Sequence, residues 1–93
     1  MTAADLTRFE ANMIQFVRSE LEIGLVFASL AVNSQTDEKW QRNRQNARKA
    51  YDTAQHFLDE HVAAEERRKH ADLLDGLSEL RNLLIGLGAK FDE

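Results

Sequence analysis

Cysteine and proline are absent from the 93 residues, and glycine occurs only four times. Without cysteine there is no disulfide and no thiolate ligand for a metal, and the redox compartment is unconstrained. Without proline, nothing in the chain forces a helix to kink or stop. Gly76, Gly86 and Gly88 all fall in the last fifth, so the first three-quarters hold almost no helix breaker. Runs of alternating β-branched residues are missing too, which removes the ordinary signature of a strand. No apolar run reaches the ~20 residues of a membrane span. The N-terminal Met-Thr-Ala-Ala-Asp lacks the charged and apolar regions of a secretion signal, so the expected location is the cytoplasm.

What fills the chain instead is Ala, Leu, Glu, Arg, Gln and Lys, the strong helix formers. At 43% hydrophobic and 30% charged, the composition is that of an ordinary soluble protein. The length allows one domain, residues 1–93, with one core. A net charge of −4 gives no global attraction to nucleic acid or to anionic lipid. The fold class expected is all-α.

Helical periodicity divides the chain into three expected helices, at about 3–32, 37–60 and 64–87. Thr2 and Asp5 have capping-box spacing at the start of the first. Leu6, Phe9, Met13, Phe16 and Val17 then share one face of it. Residues 33–36 form a short loop in which Ser34 or Thr36 can cap the second helix, and Asp37 and Glu38 suit its first turn. A loop this short makes the first two helices antiparallel neighbours. Trp40, Ala47, Tyr51, Ala54 and Leu58 form the seam of the second helix, widened by Ala50 and Phe57. The next turn carries no Gly or Pro. A break near residues 61–63 is expected because a single helix running to Leu87 would leave its seam without a partner. Leu73, Leu77, Leu80, Leu84 and Leu87 mark the third helix, with a glycine cap at residues 86–88 and Phe91 folding back. Residues 92–93 are expected to fray. The architecture predicted is an antiparallel up-down-up three-helix bundle with the first helix the most buried.

Residues 21–32 are the stretch this bundle has to bury. Only Glu22 and Ser29 are plainly polar, and on a helical wheel the apolar residues fill an arc of roughly 260°. Two neighbouring helices do not cover that much. Leu21, Leu25 and Val26 on the first helix, with Leu74 and Ile85 on the third, are the expected surplus and define a candidate self-association surface.

Three groups of polar residues are candidate sites. Glu20 falls on the apolar face among Phe9, Met13, Phe16, Phe27 and Ala31, where a lone carboxylate would cost several kcal/mol. A hairpin turning at Ser34 sets it level with Arg48, one turn from Arg44, so a structural ion pair with Arg44 or Arg48 is expected. Residues 39–49 hold five basic side chains in eleven, the pattern of an RNA- or phosphate-binding helix. Their scatter around the helix and the acidic chain favour a solvated face over a nucleic-acid site. His56/Glu60 and His61/Glu65 have the i, i+4 spacing of metal ligands, and Glu20, His56 and His61 are the residues a metal or small-ligand site would use. They lack the order of zinc hydrolases and of carboxylate-bridged di-iron bundles, so no metal and no cofactor is expected. No serine has a nucleophile motif around it and no glycine-rich loop cradles phosphate, which argues against an enzyme.

Residues 47–59, Ala-Arg-Lys-Ala-Tyr-Asp-Thr-Ala-Gln-His-Phe-Leu-Asp, carry a small residue, an aromatic four later, an alanine three later, then apolar residues and an Asp. This segment resembles the second helix of a tetratricopeptide repeat. The resemblance covers about 13 residues, and neither the first-helix pattern nor a 34-residue period accompanies it. It implies a helical-hairpin interaction module without naming a partner. The function expected is therefore non-enzymatic protein–protein contact, with a homodimer as the first partner. Nucleic-acid binding through residues 39–49 is the alternative, and a metal or ligand site at Glu20, His56 and His61 comes after it.

Overall fold

Thr2 opens the first helix as its spacing to Asp5 predicts. In a computed structural model, which describes residues 2–91 and, within them, all side chains except those of Leu6 and Thr7, the Thr2 hydroxyl accepts from the Asp5 amide. The Asp5 carboxylate accepts in return from the Thr2 hydroxyl and amide. The hydroxyl bond, helped by the amide, holds the Asp5 carboxyl below its ordinary pKa. The expectations for the Leu6 side chain and for residues 92–93 fall outside the described residues.

Helix α1 runs Ala3–Val32 and α2 runs Asp37–His61. Of the two candidate caps, Thr36 takes the role, accepting from the Lys39 amide. Ser34 instead donates to the Leu30 carbonyl at 2.6 Å and closes the end of α1. The second turn falls at Val62 and Ala63, with the Val62 side chain buried. The expected third helix is divided: α3 spans Ala64–Lys69 and α4 spans Ala71–Gly86. The described residues thus form four helices and no strand, 51 × 22 × 18 Å overall.

The division at His70 has a plain cause. The α3 sequence, Ala-Glu-Glu-Arg-Arg-Lys, buries no side chain. The leucine stripe that holds α4 begins only at Leu73. Nothing apolar obliges residues 64–69 to continue the α4 axis, and a six-residue helix has little stability of its own. At the other end α4 stops on Gly88, whose φ of 92° is the left-handed conformation that favours glycine. Ala89 N–H donates to the Leu84 carbonyl at 2.9 Å and Gly88 N–H to that of Ile85, a Schellman closure.

Helices α1, α2 and α4 pack pairwise around one core. Phe9 meets His61, Phe16 meets Phe57 and Gly24 meets Ala50, so α1 and α2 run antiparallel. Arg18 meets Asp72, Leu21 meets Gly76 and Gly24 meets Leu80, so α4 runs parallel to α1. Ala47, Ala50, Ala54 and Leu58 line α2, and Leu73, Leu77, Leu80, Leu84 and Leu87 line α4. All three helices converge on Gly24. A Cβ there would lie 2.5 Å from Leu80 Cδ2 and 3.2 Å from Ala50 Cβ, so any side chain at this position has to displace the buried Leu80.

Helix α1 lends Ile14, Val17, Leu21, Ala28 and Ala31 to the core, yet its wide apolar arc is not wholly covered. Among the described residues, six of the eight exposed large hydrophobic side chains belong to it. Two neighbours cover two flanks of α1 and leave the third to solvent.

A test of the divided third helix is native-state amide exchange. Residues 65–69 should exchange at least about 100-fold faster than Leu80 and Leu84, whose amides open only with the core.

Candidate functional site

The uncovered flank of α1 is built by the helical repeat itself. Steps of 100° put Val26 about half a turn away from the buried Val17 and Ala28, with Ile23 one turn before it and Leu30 one turn after, both rotated to the same side. Ile23, Val26 and Leu30 are 45%, 59% and 49% exposed, whereas Phe27 and Leu25 border them and pack partly into the core. Shallow hollows flank this ridge, one lined by Glu22, Ile23, Val26 and Phe27, the other by Leu25, Val26, Ser29, Leu30 and Asn33.

The five residues expected to form one self-association surface are not all on it. Leu21 is buried, its Cδ1 turned toward Gly76 where α1 and α4 touch. Leu25 is half-buried against the core. Leu74 and Ile85 are exposed, but on α4 they share a flank with Arg81, opposite Gly76. Gly76 faces α1 and Arg81 reaches Phe91 beside α2, so this pair sits on the α2 side of the molecule, away from Val26. Ile23 and Leu30, passed over in the sequence, take their places beside Val26. Their i, i+3, i+7 spacing with Val26 was there to be read.

The ion pair expected at Glu20 does not form among the described residues. The register is the first reason. Phe16 opposite Phe57 and Gly24 opposite Ala50 bring Glu20 level with Thr53 and Ala54, beyond Arg48. Direction is the second. Ala50 and Phe57 make the α1 side of α2, and Arg48 emerges about half a turn away from them. Glu20 itself is half-buried at the edge of the interface, so its carboxylate keeps access to water.

Both arginines turn to the end of the chain instead. Arg44 stacks over Trp40, its Cζ 4.5 Å from the ring centroid, and donates from Nη1 to the Leu87 carbonyl. Arg48 donates from Nε to the Asp52 carboxylate at 3.0 Å and from Nη1 to the Lys90 carbonyl at 3.0 Å. Its guanidinium also lies 3.9 Å from the Phe91 centroid. Phe91 in turn packs edge-on against Tyr51 and takes Arg81 at 5.2 Å. The fold-back expected of Phe91 thus lands on α2 as well as α4.

His56 and His61, both exposed, make ring contacts with the phenylalanines beside them. His61 lies among Phe9 and Phe57, and His56 meets Phe57 edge-on. No three His, Asp or Glu side chains among the described residues are placed to hold a metal ion. Two ion pairs hold segments together across sequence: Arg18 with Asp72, and Arg67 with Asp59. No described helix is long and apolar enough to cross a membrane.

The geometry at Glu20 carries a direct test. With no cation paired to it, Glu20→Gln should change unfolding free energy in urea by less than about 0.5 kcal/mol, the range of an ordinary surface substitution. Breaking a buried pair would instead cost about 3–5 kcal/mol.

No protein-family model, curated protein or solved structure matches the chain.

Proposed function

We propose that this chain is a non-enzymatic interaction module of the cytoplasm that works by helix-to-helix contact, and that its first partner is a second copy of itself. The functional unit in this reading is the up-down-up arrangement of α1, α2 and α4, with α3 as the linker between the last two. One observation carries the proposal: the ridge of Ile23, Val26 and Leu30 on the side of α1 opposite the core. Three large apolar side chains at i, i+3 and i+7 form the stripe a helix presents to a partner helix. The side of α1 that faces α2 and α4 is already filled, so the ridge adds nothing to the single chain's core.

A second copy fits the ridge for reasons of shape and charge. A two-fold axis across Val26 would set two α1 helices antiparallel, with each ridge lying against the other's hollows. The ridge residues themselves carry no charge; Glu22 lines one of the hollows beside Val26 and is the one carboxylate such a contact would have to leave hydrated. The likeness of residues 47–59 to one helix of a tetratricopeptide hairpin points the same way, toward a helical interaction module.

Sedimentation equilibrium tests this reading. At about 100 µM the chain should approach twice its mass of 10.6 kDa. Val26→Glu should return it to a monomer with unchanged helix content, because the exposed side chain has no role in the core. A wild-type monomer at that concentration contradicts the proposal.

A further inference from the structure

The C-terminal segment does more than finish α4. It runs beside α2 and forms one side of an open cleft of about 680 Å³ whose lining includes Arg44, Arg48, Lys49, Asp52, Phe57 and Lys90. Three of its cations come from α2, and the fourth, Lys90, is brought in by the chain reversal at Gly88. In a chain of net charge −4, the described residues lining the cleft include four cations and one carboxylate. That carboxylate, Asp52, already binds Arg48. Among the described residues no carboxylate reaches Arg44, Lys49 or Lys90.

We infer that this cleft binds a small phosphorylated molecule carrying two or more phosphate charges. The arginines are already positioned for it. Arg44 is held by Trp40 and the Leu87 carbonyl, and Arg48 by Asp52, Phe91 and the Lys90 carbonyl. A guanidinium has five N–H donors, so each retains donors for a ligand after making these bonds. Side chains fixed before binding lose less entropy on binding, and guanidinium groups match phosphate oxygens in geometry. Lys49 and Lys90 add mobile point charges at the rim. The volume lies in the range of small-molecule sites, and Phe57, further along α2, adds apolar lining for the uncharged part of a ligand. The cations do not form a track for a polymer. Lys39 and Arg42, the other basic residues of α2, stand outside the cleft.

The chain contains its own reporter. Trp40 is the only tryptophan and lies under Arg44, so an anion drawn to Arg44 will alter its fluorescence. Pyrophosphate and ATP are the probes, titrated at low salt by fluorescence and by calorimetry. Saturable one-site binding is expected for both, weakening as salt is raised. The double substitution Lys49→Gln/Lys90→Gln should weaken it about tenfold, the sum of two exposed ion pairs. Both lysines are exposed, and neither side chain supports the fold. The control Lys39→Gln/Arg42→Gln should leave affinity unchanged within about twofold. No saturable signal from either probe up to about 5 mM overturns the inference. Equal losses in the two double variants also overturn it, since they indicate diffuse attraction. A single-stranded oligonucleotide that binds far more tightly than ATP and is weakened by both variants overturns it in favour of a nucleic-acid groove.

Discussion

The rest of the molecule depends on how closely three helices approach one another at Gly24. The position has no side chain, and Leu80 from α4 and Ala50 from α2 occupy the space one would need. A glycine in mid-helix costs about 1 kcal/mol relative to alanine, so it persists where packing requires it. Ala28 and Ala31 on α1, with Ala47, Ala50 and Ala54 on α2, extend the same close approach along the pair, all of them buried. Small residues on one side of the seam leave room for the leucines of α4 on the other. The core is therefore narrow, and it takes up one side of α1 only.

That narrowness explains both surface features. Because α1 sits tightly against α2 and α4, its far side has no neighbour, and Ile23, Val26 and Leu30 face outward. Because the interior admits no long polar side chain, no charged residue among the described residues is buried. Arg44 and Arg48 are excluded to the outer flank of α2, where the C-terminal segment binds them through carbonyl groups and the ring of Phe91. The apolar ridge and the basic cleft thus follow from one cause, although they lie on different helices and offer different chemistry.

The helical content was legible in the residues, and so were most boundaries, because caps act locally. Thr2 with Asp5, Thr36 and Gly88 each do their work within a few residues of themselves. The leucine stripe of α4 and the alanine seam of α2 were legible for a similar reason: period alone assigns them inward. What the pattern cannot supply is which flank of a helix meets which neighbour. Glu20 and Arg48 both lie near apolar stripes, yet they emerge on sides of the α1–α2 pair that never meet. Leu21 and Val26 both belong to a wide apolar arc, and only the position of α4 decides that one is buried and the other exposed. Lys90 joins Arg48 through a chain reversal, so no local sequence signal links them. Gly24 is a different case, since a lone glycine in a long run of helix formers is itself a sign of close packing.

The claim that close approach at Gly24 organises the fold is tested most directly by Gly24→Ala in two backgrounds, followed by urea denaturation. Alanine brings a helix-propensity gain of about 1 kcal/mol. In the otherwise unchanged chain the new methyl group collides with buried Leu80, and the account predicts a net loss of about 1 kcal/mol or more. With Leu80→Ala already in place the collision is gone, and the same substitution should be neutral or stabilising, a coupling well beyond the additivity of independent sites. Stabilisation by Gly24→Ala to the same extent in both backgrounds would contradict the account.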